Sequence, residues 1–75
     1  MINVLMGNNT NRKTVIVNPN TSIRKALEDN GMEVAGKTYT LNSRTLSPDD
    51  YDKTFTDLGV TDRCYLLCVA KADNA

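Results

Sequence analysis

The 75-residue sequence contains no histidine and only two cysteines, and its nine basic residues are balanced by nine acidic ones. A structural zinc site needs about four nitrogen or sulfur ligands, which this set of residues does not supply. Without net positive charge or a basic cluster, the chain lacks the electrostatic attraction that drives binding to phosphate backbones. We therefore expect no metal, no other cofactor and no nucleic-acid partner.

Long apolar runs are also missing. No stretch approaches the roughly 20 apolar residues that a membrane-spanning helix needs, and the opening segment, 1–7, lacks the basic region of a signal peptide. We expect no membrane association and a cytoplasmic location. The content of 40% hydrophobic and 24% charged residues is ordinary for a globular protein. One folded domain is expected over residues 1–71, followed by a frayed polar tail at 72–75.

The two cysteines, Cys64 and Cys68, lie in one apolar, β-prone run. On a strand, residues four apart face the same side and are separated by roughly 13 Å. A disulfide requires Cα atoms within about 7 Å of each other. We predict that both are free thiols that pack as small hydrophobic side chains.

The first half of the chain predicts a hairpin followed by a helix. Apolar residues alternate over 2–6, a run of turn-forming residues follows at 7–11, and the β-branched segment 13–17 reads as a second strand. A helix is predicted at about 22–30, where Thr21 or Ser22 can cap its first turn and Gly31 can end it. Its apolar stripe is narrow and consists of Ile23, Ala26 and Leu27.

The second half predicts shorter elements. A strand at 37–41, a turn at 42–43 and a returning strand at 44–46 are followed by a turn or one-turn helix at 47–50. The segment 54–60 has irregular apolar spacing and ends near a glycine, which favours a short 3₁₀ turn.

The last predicted strand, 64–70, is a continuous apolar run. Such a run is typical of a central strand that is covered on both faces.

The order of these elements resembles the ubiquitin-like β-grasp fold. Three segments carry the resemblance: Ile2-x-Val4-x-Met6 is similar to ubiquitin's first strand, Leu41–Leu46 to its central strand–turn–strand, and Thr54–Val60 to its Thr-Leu-Ser-Asp-Tyr-Asn-Ile segment. The helix region is shorter than ubiquitin's, and there are a few extra residues between Leu46 and Val60. The chain is also similar to small bacterial ubiquitin-like proteins of mobile elements. The resemblance implies an α+β fold: a β-grasp with one helix packed across a mixed sheet of four to five strands.

Members of this family are conjugated to targets, or carry sulfur in the ThiS and MoaD branch, through a C-terminal Gly-Gly. The sequence printed here ends Asp73-Asn74-Ala75 and has no glycine after Gly59. A modifier or sulfur carrier is therefore the less favoured alternative. The plant-type ferredoxins, another β-grasp branch, need four cysteines for their cluster, and this chain has two.

The resemblance also implies a binding surface. Matching Val60 to ubiquitin places Leu66, Cys68 and Ala70 against the helix. The opposite face, where ubiquitin has its recognition patch, then carries Tyr65, Leu67 and Val69. Thr40 stands where ubiquitin has an apolar residue, and Leu5 and Ile16 extend the patch if their strands alternate. The alternative is a register shifted by one residue, which would bury Tyr65, Leu67 and Val69 instead.

No arrangement of residues indicates catalysis. Asp49, Asp50 and Asp52 form an acidic cluster, but they lie in a predicted turn, where aspartate favours capping and solvation. The spacing of an EF-hand calcium loop is absent. The sequence therefore favours a non-catalytic module that binds an unidentified protein through the exposed sheet face, with a homodimer covering that face as a variant.

Overall fold

Five strands, one α-helix and one 3₁₀ helix form within the residues that this computed structural model describes, 1–8 and 11–69. In chain order they are β1 (Ile2–Gly7), β2 (Arg12–Val17), α1 (Ile23–Asp29), β3 (Thr38–Leu41), β4 (Arg44–Thr45), the 3₁₀ helix (Pro48–Asp52) and β5 (Arg63–Val69). The predicted tail at 72–75, together with Ala70 and Lys71, lies outside the described residues.

The strands form one sheet in the order β2-β1-β5-β3-β4. β1 and β5 run parallel at its centre, and the other neighbouring strands are antiparallel. β5 therefore lies between the β1–β2 hairpin and the β3–β4 hairpin. The expectation of an α+β fold with one helix on a mixed sheet is confirmed, and the sheet has five strands in the described residues.

The turn between β1 and β2 depends on a glycine. A Cβ atom at Gly7 would lie 2.1 Å from the carbonyl oxygen of Asn11 and 2.7 Å from the Cα of Arg12, and both of these are backbone atoms. Only a residue without a side chain permits this approach. Gly7 thereby sets where the hairpin closes, and it extends β1 one residue beyond the predicted end.

The helix begins and ends where the capping residues predict. Ser22 is the N-cap, and its Oγ accepts a hydrogen bond from the backbone amide of Lys25 at 3.2 Å. Gly31 has a φ of +78°, and the Met32 amide donates to the Leu27 carbonyl at 2.9 Å. This is the hydrogen bond of a Schellman motif, which turns the chain away from the helix.

The core lies between α1 and the inner face of the sheet. The helix contributes its predicted stripe of Ile23, Ala26 and Leu27, all buried. The strands and connecting segments contribute Ile2, Val4, Met6, Tyr39, Leu41, Leu46, Tyr51, Phe55, Val60, Cys64 and Leu66. Burial of the alternating residues of β1 confirms the predicted period-2 pattern of that strand.

Tyr39 and Tyr51 tie the 3₁₀ helix to β3. The Tyr39 amide donates to the Tyr51 hydroxyl at 3.1 Å, and the two rings pack edge to face with centroids 6.3 Å apart. The Tyr39 hydroxyl donates to the carbonyl oxygen of Glu33. Burial is the main reason that the pKa of Tyr39 rises to about 12.

The segment 54–60, predicted as a short 3₁₀ turn, forms hydrogen-bonded turns and no assigned helix. The Leu58 amide donates to Thr54 and Phe55 carbonyls, both at 3.2 Å, and the Val60 amide donates to Phe55 at 2.9 Å. The Gly59 amide donates to the Thr56 carbonyl at 3.0 Å, so two consecutive bonds have the three-residue span of a 3₁₀ turn, and the other two bonds are longer. Gly59, with φ +83°, ends the segment. No helix in the described part of the chain is long and apolar enough to cross a membrane.

Candidate functional site: the outer face of the sheet

The candidate site is the face of the sheet turned away from α1, which we call the outer face. Residues paired directly across neighbouring strands share a face. On each strand, the residues next to the buried positions therefore lie together on the opposite, outer face. These outer-face residues are Asn3, Leu5, Gly7, Arg12, Thr14, Ile16, Thr38, Thr40, Thr45, Arg63, Tyr65, Leu67 and Val69.

The register predicted for β5 is confirmed. Leu66 is fully buried, with 0% of its surface exposed, whereas its neighbour Tyr65 is 51% exposed. Val69 is 38% exposed, and Leu67 and Cys68 are half-buried. The prediction that this strand is covered on both faces is wrong, because the described residues cover only its inner side. Ala70 lies outside the described residues.

The five predicted binding residues lie on the outer face. Leu5 of β1 is paired with Tyr65 of β5, and Thr40 of β3 is paired with Leu67. Val69 pairs with Thr38 at the end of β5. Leu5, Leu67 and Thr40 are half-buried, so they surround the more exposed Tyr65 side chain with partly accessible surface. We call Leu5, Tyr65, Leu67, Val69 and Thr40 the apolar patch.

Ile16 lies on the same face but at the margin of the patch. It is 68% exposed and is paired with Asn3 of β1, which in turn is paired with Arg63 of β5. The neighbours of Ile16 in its own row across the sheet are therefore polar, and the row of Leu5 and Tyr65 lies between Ile16 and Leu67. Leu5 is directly paired with Tyr65 of the patch. Ile16 is only a diagonal neighbour of Leu5 across the β1–β2 pair.

The turn between β3 and β4 fixes the backbone at Tyr65. The Asn42 amide donates to the Tyr65 carbonyl at 2.8 Å, and Asn42 Oδ1 accepts from the Tyr65 amide at 2.9 Å. Asn42 and Ser43 both have positive φ, as a two-residue type I′ turn requires. At Tyr65, strand β5 is therefore held by β1 on one side and by this turn on the other.

A shallow depression of about 300 Å³ adjoins the patch on the outer face. Its lining comes from β1, β2 and β5 and consists of Asn3, Leu5, Thr14, Arg63, Cys64 and Tyr65. A space of this size at an open surface suits a single partner side chain better than a small-molecule substrate, which is usually enclosed on most sides. Within this lining the polar residues Asn3 and Arg63 are paired with each other, and Leu5 is paired with Tyr65.

The outer face is electrostatically one-sided. None of the five strands contains an aspartate or glutamate, whereas Arg12 and Arg63 both occupy outer-face positions. Ion pairs occur elsewhere, for example between Arg24 and Asp52 at 3.2 Å. Neither Arg12 nor Arg63 forms an ion pair with any described residue, so both arginines add positive charge to this face that no described carboxylate offsets.

The acidic cluster is used for local structure. Asp50 accepts hydrogen bonds from the Ser47 amide at 3.0 Å and the Ser47 hydroxyl at 3.1 Å, which tie its carboxylate to the N-cap residue of the 3₁₀ helix. The pKa of Asp50 is lowered, chiefly by the bond from the Ser47 backbone amide and further by the Ser47 hydroxyl and by Lys53. The one-turn helix predicted here is confirmed. Among the described residues, no group of three or more acidic or cysteine side chains could hold a metal ion.

Both cysteines are free, as predicted. Cys64 is buried on the inner face, and burial raises the pKa of its thiol to about 11. A thiol that stays protonated at neutral pH is a poor nucleophile. Cys64 therefore behaves as a small hydrophobic core residue.

No protein-family model matches the chain, and a search of the curated proteins found no match.

Sequence reasoning found the apolar patch but not its surroundings. Arg63 and Asn42 were not predicted to belong to the site, although one borders the depression and the other holds Tyr65 in place. The signal for the positive charge was present: the five strand segments lack any carboxylate. It becomes readable only when strand bounds and faces are known.

Proposed function

We propose that the chain is a non-catalytic adaptor or regulatory module that binds a partner protein through the outer face of a ubiquitin-like β-grasp domain. The strand order supports this assignment of the fold. β5 lies between two hairpins and is parallel to β1 of the first, and the one α-helix of the described residues follows that first hairpin. The order of elements in the sequence and their arrangement in the sheet are both compatible with a β-grasp.

The observation that carries the proposal is the exposure of Tyr65 at the centre of the sheet. A large aromatic side chain, 51% exposed, lies on a strand that is hydrogen-bonded on both sides. Leu5 and Leu67 add apolar surface next to it. Exposed apolar surface of this kind usually marks a contact site on a small protein, and tyrosine is frequent among the residues that dominate binding energy.

The chemistry of the remaining side chains favours binding over catalysis. Asp50 is held by Ser47 and Lys53, Asp52 is paired with Arg24, and the thiol of Cys64 is buried. A catalytic site would instead bring a nucleophile or acid together with a base in one cleft. Asp50 and Asp52 lie in the 3₁₀ helix and do not line the depression on the outer face, and Cys64, which does line it, is a buried residue with a protonated thiol.

The proposal is tested by affinity capture from the native cell with matched variants. Tyr65→Ser removes the exposed ring from the patch, and Lys25→Ser changes an exposed residue on the helix side. Both should keep the thermal midpoint within a few degrees of the wild-type value, because exposed side chains contribute little to stability. Proteins captured by the wild type and by Lys25→Ser, but lost with Tyr65→Ser, are the expected result.

The magnitude expected for a purified partner is a loss of tenfold or more in affinity. Full burial of a large apolar side chain is worth about 1.5–3 kcal/mol, and every 1.4 kcal/mol corresponds to a factor of ten. If Tyr65→Ser folds normally and captures the same proteins as the wild type, the outer face is not the binding surface.

A further inference from the structure

The free edge of β2 is a second surface, distinct from the outer face. β2 is the first strand in the sheet order, and within residues 1–8 and 11–69 its one neighbour is β1. At the opposite edge, β4 is only two residues long, Arg44–Thr45. β2 has six residues, so it exposes much the longer row of unpaired backbone groups. Such an edge is a template for another strand.

The hydrogen-bond pattern identifies which groups of β2 are open. The Asn3 amide donates to Asp62 on the β5 side, so odd-numbered residues of β1 are turned toward β5. Even-numbered residues of β1 then bond to β2, where their partners are Lys13, Val15 and Val17. Because bonding alternates along an antiparallel ladder, the amides and carbonyls of the remaining β2 residues point away from the sheet. These are Arg12, Thr14 and Ile16.

The basic side chains of β2 do not protect this edge. Lysine on an edge strand commonly prevents pairing with another chain, but the Lys13 ammonium donates to the Asn30 carbonyl at the end of α1, 3.1 Å away. The Arg12 Nε donates to the Asn8 carbonyl at 3.1 Å. Both side chains are therefore directed toward groups of their own protomer.

The sequence of the edge is complementary to itself. We propose that two copies of this chain pair antiparallel through β2, with Thr14 of each copy opposite Thr14 of the other. Arg12 then lies opposite Ile16 of the second copy, and Lys13 lies opposite Val15. Three pairs of open residues give six backbone hydrogen bonds, and no two like charges are directly opposed.

A neighbouring register is disfavoured by charge. Moving the two-fold axis to Lys13 would place two ammonium groups directly opposite each other, which is unfavourable. In the register with Thr14 at the axis, the aliphatic stem of Arg12 instead covers Ile16 of the second copy, which is 68% exposed in the single chain. This self-complementarity favours a second copy over an unrelated strand.

The pairing produces one continuous ten-stranded sheet. A two-fold axis normal to the sheet keeps both helices on one side and both outer faces on the other. The apolar patches of the two copies remain uncovered, so this dimer differs from one in which the outer faces pack together. The inference does not depend on the proposed function of the outer face.

Sedimentation velocity from about 10 μM to 1 mM is the first test, over the range in which a small, wet interface associates. The wild-type sedimentation coefficient should rise toward that of a dimer with concentration. Thr14→Lys places two ammonium groups across the axis and should weaken association at least tenfold. Thr45→Lys adds the same charge at the opposite edge, also on an exposed residue, and should behave as the wild type.

Cross-linking tests the register. Cα atoms of a hydrogen-bonded antiparallel pair lie about 5.5 Å apart, within disulfide range. In a Cys68→Ser background, Thr14→Cys should form a covalent dimer on mild oxidation. Arg12→Cys should not, because its two copies are offset by four residues, roughly 14 Å along the strands.

Three results would overturn the proposal. The first is a wild-type chain that stays monomeric at 1 mM, and the second is association that Thr14→Lys leaves unchanged. The third is association lost in Tyr65→Ser but retained in Thr14→Lys, which would assign the dimer to the outer face. Circular dichroism of each variant checks that the fold is kept.

Discussion

Asn42 makes two hydrogen bonds to the backbone of Tyr65, one with its amide and one with its side-chain oxygen, at 2.8 and 2.9 Å. With a φ of 52°, Asn42 has left the strand conformation, and its Oδ1 takes the place of the carbonyl that a continuing strand would offer. The β3–β4 turn is thereby joined to β5 beyond the end of the regular ladder. This relationship makes the turn part of the support of the apolar patch.

Asn42→Ala should therefore lower the free energy of unfolding by about 1–3 kcal/mol. The change leaves the backbone amide of Tyr65 without its acceptor, and alanine, unlike asparagine, has no polar side chain to stabilise a positive φ. Asn42→Gly is the matched control, since it removes the same acceptor but tolerates positive φ. Urea unfolding should rank the stabilities as wild type, then Asn42→Gly, then Asn42→Ala. Equal stability of all three proteins would show that the bond to Tyr65 contributes nothing.

Ser43 is the less suitable residue of this turn. Its φ is 74°, and type I′ turns favour glycine in such a position. Relief of the left-handed strain is worth about 1–2 kcal/mol and exceeds the added entropy of glycine in the unfolded chain, so Ser43→Gly should stabilise the domain by about 0.5–1 kcal/mol. A higher urea midpoint with an unchanged m-value is the expected measurement. A lower midpoint would mean that the Ser43 side chain has a stabilising role.

Leu66 and Leu67 test the two faces of β5 against each other. Leu66→Ser removes a fully buried side chain and buries a hydroxyl, which should cost several kcal/mol and threaten the fold. Leu67→Ser acts on a half-buried outer-face residue and should cost about 1 kcal/mol or less. Thermal melting of both variants makes the comparison. Collapse of Leu67→Ser with tolerance of Leu66→Ser would reverse the assignment of the faces.

The two thiols should differ in accessibility. Titration with a thiol reagent in denaturant, without reductant, should find both free. In the folded protein the half-buried Cys68 should react first, and Cys64 should react only as fast as the protein opens. A Cys68→Ala variant isolates the slow reaction. Rapid labelling of Cys64 in the folded variant would contradict the described burial.

Stability should fall in alkaline solution. Burial raises the pKa of Cys64 from 9.0 to about 11 and that of Tyr39 from 10.0 to about 12. Above pH 9 the unfolded chain loses these protons while the folded chain keeps them, so fewer protons are bound in the unfolded state and the free energy of unfolding decreases as pH rises. This contribution is present in full below pH 9 and is lost progressively toward pH 12.

Urea midpoints at pH 7 and pH 10.5 measure this loss. Cys64→Ala should be less stable at both values, because it leaves a small cavity, but its midpoint should decline less between them. An identical decline in the wild type and the variant would exclude Cys64 as a source of the pH dependence.

The parts of the fold that could be predicted are those where one face is apolar and the other is not. β1 alternates in burial over residues 2–6, where Asn3 marks the outer face, and α1 is bounded by Ser22 and Gly31, whose capping roles are local. The covering of β5 could not be predicted. Tyr65 and Leu67 are apolar although they face outward, so the strand has no alternation and reads as buried on both sides.

The site was predictable to the same extent. Its apolar members follow from the register of β5, which came from the resemblance at Val60. The roles of Arg63 and Asn42 depend on contacts between residues far apart in the chain, such as Asn42 with Tyr65, and these require the sheet order. Periodicity in a single sequence carries no information about which strands become neighbours.

The parallel pairing of β1 with β5 has a consequence for the synthesis of the protein. Asn3 is aligned with Arg63, so the centre of the sheet joins the first and last described strands. While the ribosome is still adding residues, β1 can pair only with β2, and its other edge and its buried side chains stay unprotected. The nascent chain should therefore acquire protease resistance in one late step, after β5 has left the exit tunnel, and contacts so distant in sequence are the kind that slow folding.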